Sequence, residues 1–171
     1  MNQGEFLTRL SIWLALIAYV VAAGMMLHAR GREPWWGRAR WAWTIGCGFF
    51  LCHLLCAFAY FHHWSHAEAY GETARQTAAL TGWHWGGGIY FNYVFAAAWL
   101  ADTLWWWVAP QSFVRRPMWV TALWHGFFFF MVFNGTIVFG HGPVRVLGVV
   151  ISLTLTALWQ RRRKGHPRTK N

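Results

Sequence analysis

The stretch 44-TIGCGFFLCHLLCAFAYF-61 is apolar for long enough to cross a bilayer as a helix. A helix needs about 20 residues to span a hydrocarbon core of about 30 Å. The chain offers five such segments, at about 10–28, 41–62, 86–108, 118–139 and 143–160. The fifth is the most polar, with Arg145 near its start and several serines and threonines. Of the 171 residues, 57% are hydrophobic and 12% charged. Soluble domains carry about 25% charged residues, so the bilayer is the natural solvent for this chain. The expectation is an all-α polytopic membrane bundle of about five spans. No linker or repeat divides it, so residues 1–171 form a single transmembrane domain with a basic tail at 161–171.

The basic residues orient the bundle. Arg30, Arg32, Arg38 and Arg40 fall between spans 1 and 2, and Arg115 and Arg116 between spans 3 and 4. The tail 161-RRRKGHPRTK-170 adds a further group, whereas the opposite side has only Arg9, Arg75 and Arg145. By the positive-inside rule the N-terminus lies outside and the C-terminus inside. With such compact loops, the expected location is a bacterial inner membrane. The net charge of +10 is then accounted for by the inner rim and anionic lipid, with no nucleic acid as partner.

The remaining landmarks fit this frame. In the external loop, about 63–85, the stretch 72-ETARQTAALTG-82 predicts a short interfacial helix stopped by Gly82. The fifteen tryptophans gather near span ends, where amphipathic rings prefer to sit. Gly86, Gly87 and Gly88 open span 3, which suits the close approach of another backbone or a ligand. Cys47, Cys52 and Cys56 share one helix in poor geometry for a disulfide and read as reduced thiols.

Nine histidines give the chain its chemistry. His62, His63 and His66 leave span 2 on the outer side, His84 enters span 3 there, and His141 leaves span 4 there. Glu68 stands in the same loop. Neutral imidazole binds copper, zinc and iron. If the helix of span 2 runs on, His62 and His66 share a face. Glu68 would then serve as a fourth ligand or orient an imidazole. These residues are the candidate metal site.

A second layer of polar groups lies within the spans. Asp102, His125 and His53 fall inside spans 3, 4 and 2, and an ionisable residue there is a functional candidate by default. Asp102 is expected to pair with His125, or failing that with His53, by a charge-assisted bond. Asn92 and Asn134 reach one depth on antiparallel spans and are expected to form an amide pair or to line a ligand path. His53 and His125 are also the candidates for haem b within the membrane, and a face of His53, Cys56, Tyr60 and His63 could line one path.

Two readings of function follow. The first is a membrane protein that binds a metal ion or haem through histidines near its outer face, as a small subunit of an electron-transfer or oxidoreductase complex. No catalytic residue is assigned by the sequence. The alternative is a non-catalytic accessory subunit that packs against partner helices, a second copy of itself and lipid.

Overall fold

The computed structural model of the protein describes residues 2–28 and 33–138, together with 145–146, 148–150, 153 and 156. Most of the fifth expected span and all of the basic tail, with His141, lie outside the described residues. Among the described residues the fold is all-helical.

Helix α1 (Gln3–His28) opens with the Asn2 side chain accepting from the Glu5 N–H at 2.8 Å, a side-chain cap on an otherwise orphaned donor. Helix α2 (Glu33–Phe61) begins well before the expected position 41. Pro34 suits the first turn of a helix, where its missing N–H costs nothing. Trp35, Trp36, Arg38 and Arg40 therefore ride on α2 and are not part of a linker.

Helix α2 stops at Phe61 because the next residues turn left-handed. His63 and Trp64 have φ of 46° and 60°, and the Trp64 N–H closes back onto the Phe58 carbonyl at 3.0 Å. For bulky side chains this backbone is rare and strained. Helix α3 (His66–Thr81) starts at once. Ser65 caps it by accepting from the Glu68 N–H at 3.3 Å. Gly82, in the left-handed conformation, ends it as expected. The helix is longer than the sequence reading of 72–82, because the S-x-x-E start at Ser65 and Glu68 is a capping signal that reading passed over.

Helix α4 (Gly88–Val108) returns antiparallel to α2. The expected close approach at the glycines is present: a Cβ on Gly86 would run into the Tyr70 carbonyl oxygen. A short helix α5 (Pro110–Val114) occupies what reads as a linker, and α6 (Met118–Phe133) continues into a π-helical turn at Asn134–Val138.

The core is aromatic. Phe128 of α6 stacks on Tyr19 of α1, with centroids 4.4 Å apart, and meets the edges of Phe95 and Trp99 of α4 at 4.5 and 4.6 Å. Trp43 of α2 closes the group at 5.0 Å from Phe128. Such offset and edge-to-face pairs each add about 0.5–1.5 kcal/mol beyond burial.

The segments Gln3–Met26, Trp35–Phe61 and Met118–Val138 are long and apolar enough to cross a membrane. Large apolar side chains such as Ile17, Leu55 and Leu123 point outward from them. Exposed apolar surface on this scale is foreign to a soluble monomer, and it marks a membrane protein. The bundle has a histidine end, where α1 begins and α2 finishes, and an arginine end, where α4 finishes and α6 begins.

Candidate functional site

The histidine end holds a cluster of polar side chains supplied by the α2–α3 turn and the first turns of α3 and α4. Nδ1 of His63 donates to the Glu68 carboxylate at 3.1 Å. His66, the first residue of α3, sits between two phenols: Nδ1 is 2.9 Å from the Tyr93 hydroxyl, and Nε2 is 3.5 Å from the Tyr90 hydroxyl. His62 packs edge-on against Phe58 and borders a surface groove with Glu68, Glu72 and Arg75. Hydrogen bonds from Arg75 and Gln76 hold the Glu72 carboxyl below the usual carboxylate range.

The expected helical pairing of His62 with His66 does not form, because α2 ends between them and His66 belongs to α3. For the same reason His63 leaves the face that carries His53, Cys56 and Tyr60. His84 is exposed in the segment before α4. Among the described residues, no three His, Cys, Asp or Glu side chains gather around one point.

At the arginine end, Asp102 is 1% exposed and turned into the protein. Its partner is Arg116, not His125 or His53: the guanidinium donates to Oδ1 at 2.6 Å, and its side chain is 5% exposed. Helix α5 brings the chain back beneath α4 and delivers this arginine. Arg116 also lies over the Phe113 ring at 4.0 Å and donates to the Thr121 hydroxyl at 3.1 Å. An arginine counted on the inner rim in the sequence is therefore a buried counter-ion. Among the described residues, Oδ2 of Asp102 has no hydrogen-bond partner.

His125 pairs instead with α1, its Nδ1 lying 3.2 Å from the Tyr19 hydroxyl. Asn134 and Asn92 do not form the expected amide pair. Asn134 donates to its own helix, at the Phe130 carbonyl, 2.8 Å away. Asn92 borders a cavity.

That cavity is the feature the sequence reading missed. Its volume is about 260 Å³, and α1, α2, α4, α6 and the π-turn all contribute to its wall. Phe50, Phe95 and Phe128 make much of the surface. The polar groups on it are few: Arg9, Tyr19, His53, Asn92 and Thr136, with the Trp99 indole. Nδ1 of His53 donates to the Thr8 carbonyl at 2.9 Å, which ties α2 to α1 across the cavity wall. Thr136 is satisfied by the Val132 carbonyl at 2.6 Å, and Arg9 by Glu5 at 2.6 Å. The π-turn supplies two of the wall residues, Gly135 and Thr136, and such turns recur at functional sites. The only advance signal was that His53 and Asn92 lie inside apolar spans.

No protein-family model matches the chain, and neither the curated proteins nor the solved structures give a significant match.

Proposed function

We propose that this is a polytopic membrane protein that binds a small lipid-soluble molecule in the cavity between α1, α2, α4 and α6. The observation that carries the reading is the convergence of four helices on one apolar pocket with a few polar groups on its wall, the usual form of a small-molecule site. On this reading α4 and a helix over 143–160 complete five spans, and α3 rests in the interface at the outer face. The N-terminus is outside and the C-terminus inside, as the basic residues argue. The protein serves as a binding subunit of a larger membrane complex of the electron-transfer kind. A cavity of about 150 Å³ accommodates benzene. The space here therefore suits one substituted ring or the end of a chain better than the four-ring plane of haem b.

The test is photolabelling of the protein in lipid nanodiscs with a diazirine-bearing toluene. The expected result is saturable labelling of Trp13, Phe95 or Met131, competed by excess toluene. Gly135→Leu should abolish the saturable part. Among the described residues, a Cβ at Gly135 meets no atom within 4 Å, and Gly135 lies on the cavity wall, so a larger side chain there has room to enter the space. Non-saturable labelling of lipid-facing residues alone would count against the cavity.

A second reading places copper, zinc or iron at the histidine end, and the adjacent His63 and Glu68 favour it. Stoichiometric metal in the purified protein, lost in a His63→Ala, His66→Ala variant that still inserts, would establish it.

A further inference from the structure

The polar groups of the cavity narrow the chemistry of its occupant, on the reading that the cavity is a binding site. Nδ1 of His53 faces the Thr8 carbonyl oxygen at 2.9 Å. A carbonyl only accepts, so Nδ1 carries the proton, and in the neutral ring Nε2 is a bare acceptor. Among the described residues Nε2 has no partner. Asn92 lines the same cavity, its amide also without a partner among the described residues, and offers two N–H donors and a carbonyl oxygen. The Trp99 ring, 2% exposed, adds apolar wall to the same space. The His53 and Asn92 side chains are both half-buried, and inside a bilayer, where no water serves them, such groups are expensive to leave unsatisfied.

A hydrocarbon chain would leave all of them unpaired. An anionic headgroup would look for a free cation, and Arg9 is already held by Glu5. A ligand that both donates and accepts, on a flat apolar body, satisfies the wall. We propose that the cavity takes a single-ring hydroxy-aromatic of the quinol class. Its hydroxyl donates to Nε2 of His53, a ring oxygen substituent accepts from Asn92, and the ring packs among Phe50, Phe95 and Phe128.

The experiment compares two molecules of nearly equal shape, tetramethylhydroquinone and tetramethylbenzene. Equilibrium binding of each to the full chain in phosphatidylcholine nanodiscs is measured and corrected with protein-free nanodiscs. The hydroquinone should bind at least about tenfold more tightly than the hydrocarbon. His53→Phe and Asn92→Leu should each weaken the hydroquinone about tenfold and leave the hydrocarbon unchanged. Equal affinity of wild-type protein for the two molecules would overturn the ligand class while leaving the cavity as an apolar site. Failure of both to bind would overturn the cavity reading and the ligand class together. The wild-type comparison decides the matter even if a variant fails to fold.

Discussion

Asp102 and Arg116 show how one residue's partner sets the cost of a buried charge. A carboxylate within an apolar bundle is tolerable only when paired, and here one guanidinium does the pairing at 2.6 Å. Removing one member should therefore cost far more than removing both. Arg116→Met leaves the carboxylate buried and uncompensated, and it should destabilise the protein by about 3–5 kcal/mol. Combining it with Asp102→Leu should restore most of that loss, because the pair must also overcome its own desolvation. Denaturant unfolding of the wild type and the three variants in one detergent checks this. Additive losses in the double variant would show that the pair is not the unit that matters.

Among the elements, α3 is held to the rest of the bundle through α4. It touches α4 through His66, which bonds Tyr93 and approaches Tyr90, and through the close pass of Gly86 beneath the Tyr70 backbone. The obstacle to a larger residue at Gly86 is main chain, which cannot rotate away. Gly86→Val should push α3 off α4 and cost about 1–3 kcal/mol, the usual penalty for overpacking. Gly71→Val is the control. A Cβ there meets only the end of the Arg75 side chain, at 3.8 Å. Hydrogen exchange of the α3 amides should accelerate in the first variant and much less in the second. Equal exchange in both would mean that the Gly86 contact does not hold the helix.

For the whole molecule, the place where the arginines gather sets which end faces out. The positive-inside argument predicts that the arginine end is cytoplasmic. Cysteines introduced for labelling must be exposed, and the structure selects them. Phe113 is buried and would be silent, whereas Gln111 and Arg115 beside it are exposed. In a background with the three native cysteines replaced, Gln111→Cys should react with a membrane-impermeant maleimide only after the cells are opened. Trp83→Cys, exposed at the histidine end, should react in intact cells. The reverse pattern would invert the topology and move the histidine cluster to the cytoplasmic face.

The sequence by itself determined the class of this protein. Long apolar segments need no tertiary contact to declare themselves, because the bilayer demands that every backbone group be satisfied within its own helix. The stop at Gly82 and the close approach at Gly86 were equally legible, since each depends on the absence of a Cβ. The capping pair Ser65 and Glu68 was readable too, although the longer α3 it announces was not read from it. What only the tertiary structure decided was who meets whom. Depth along a span placed Asp102 level with His125, but rotation about the helix axes and the fold-back of α5 gave the carboxylate to Arg116 and left His125 to Tyr19. The cavity has the same origin. Its wall is drawn from four helices and a π-turn, and no single helix carries a pattern that records an empty space between them. Periodicity in a sequence says which face of a helix is apolar, whereas volume is a property of how several such faces fail to fill the room they enclose.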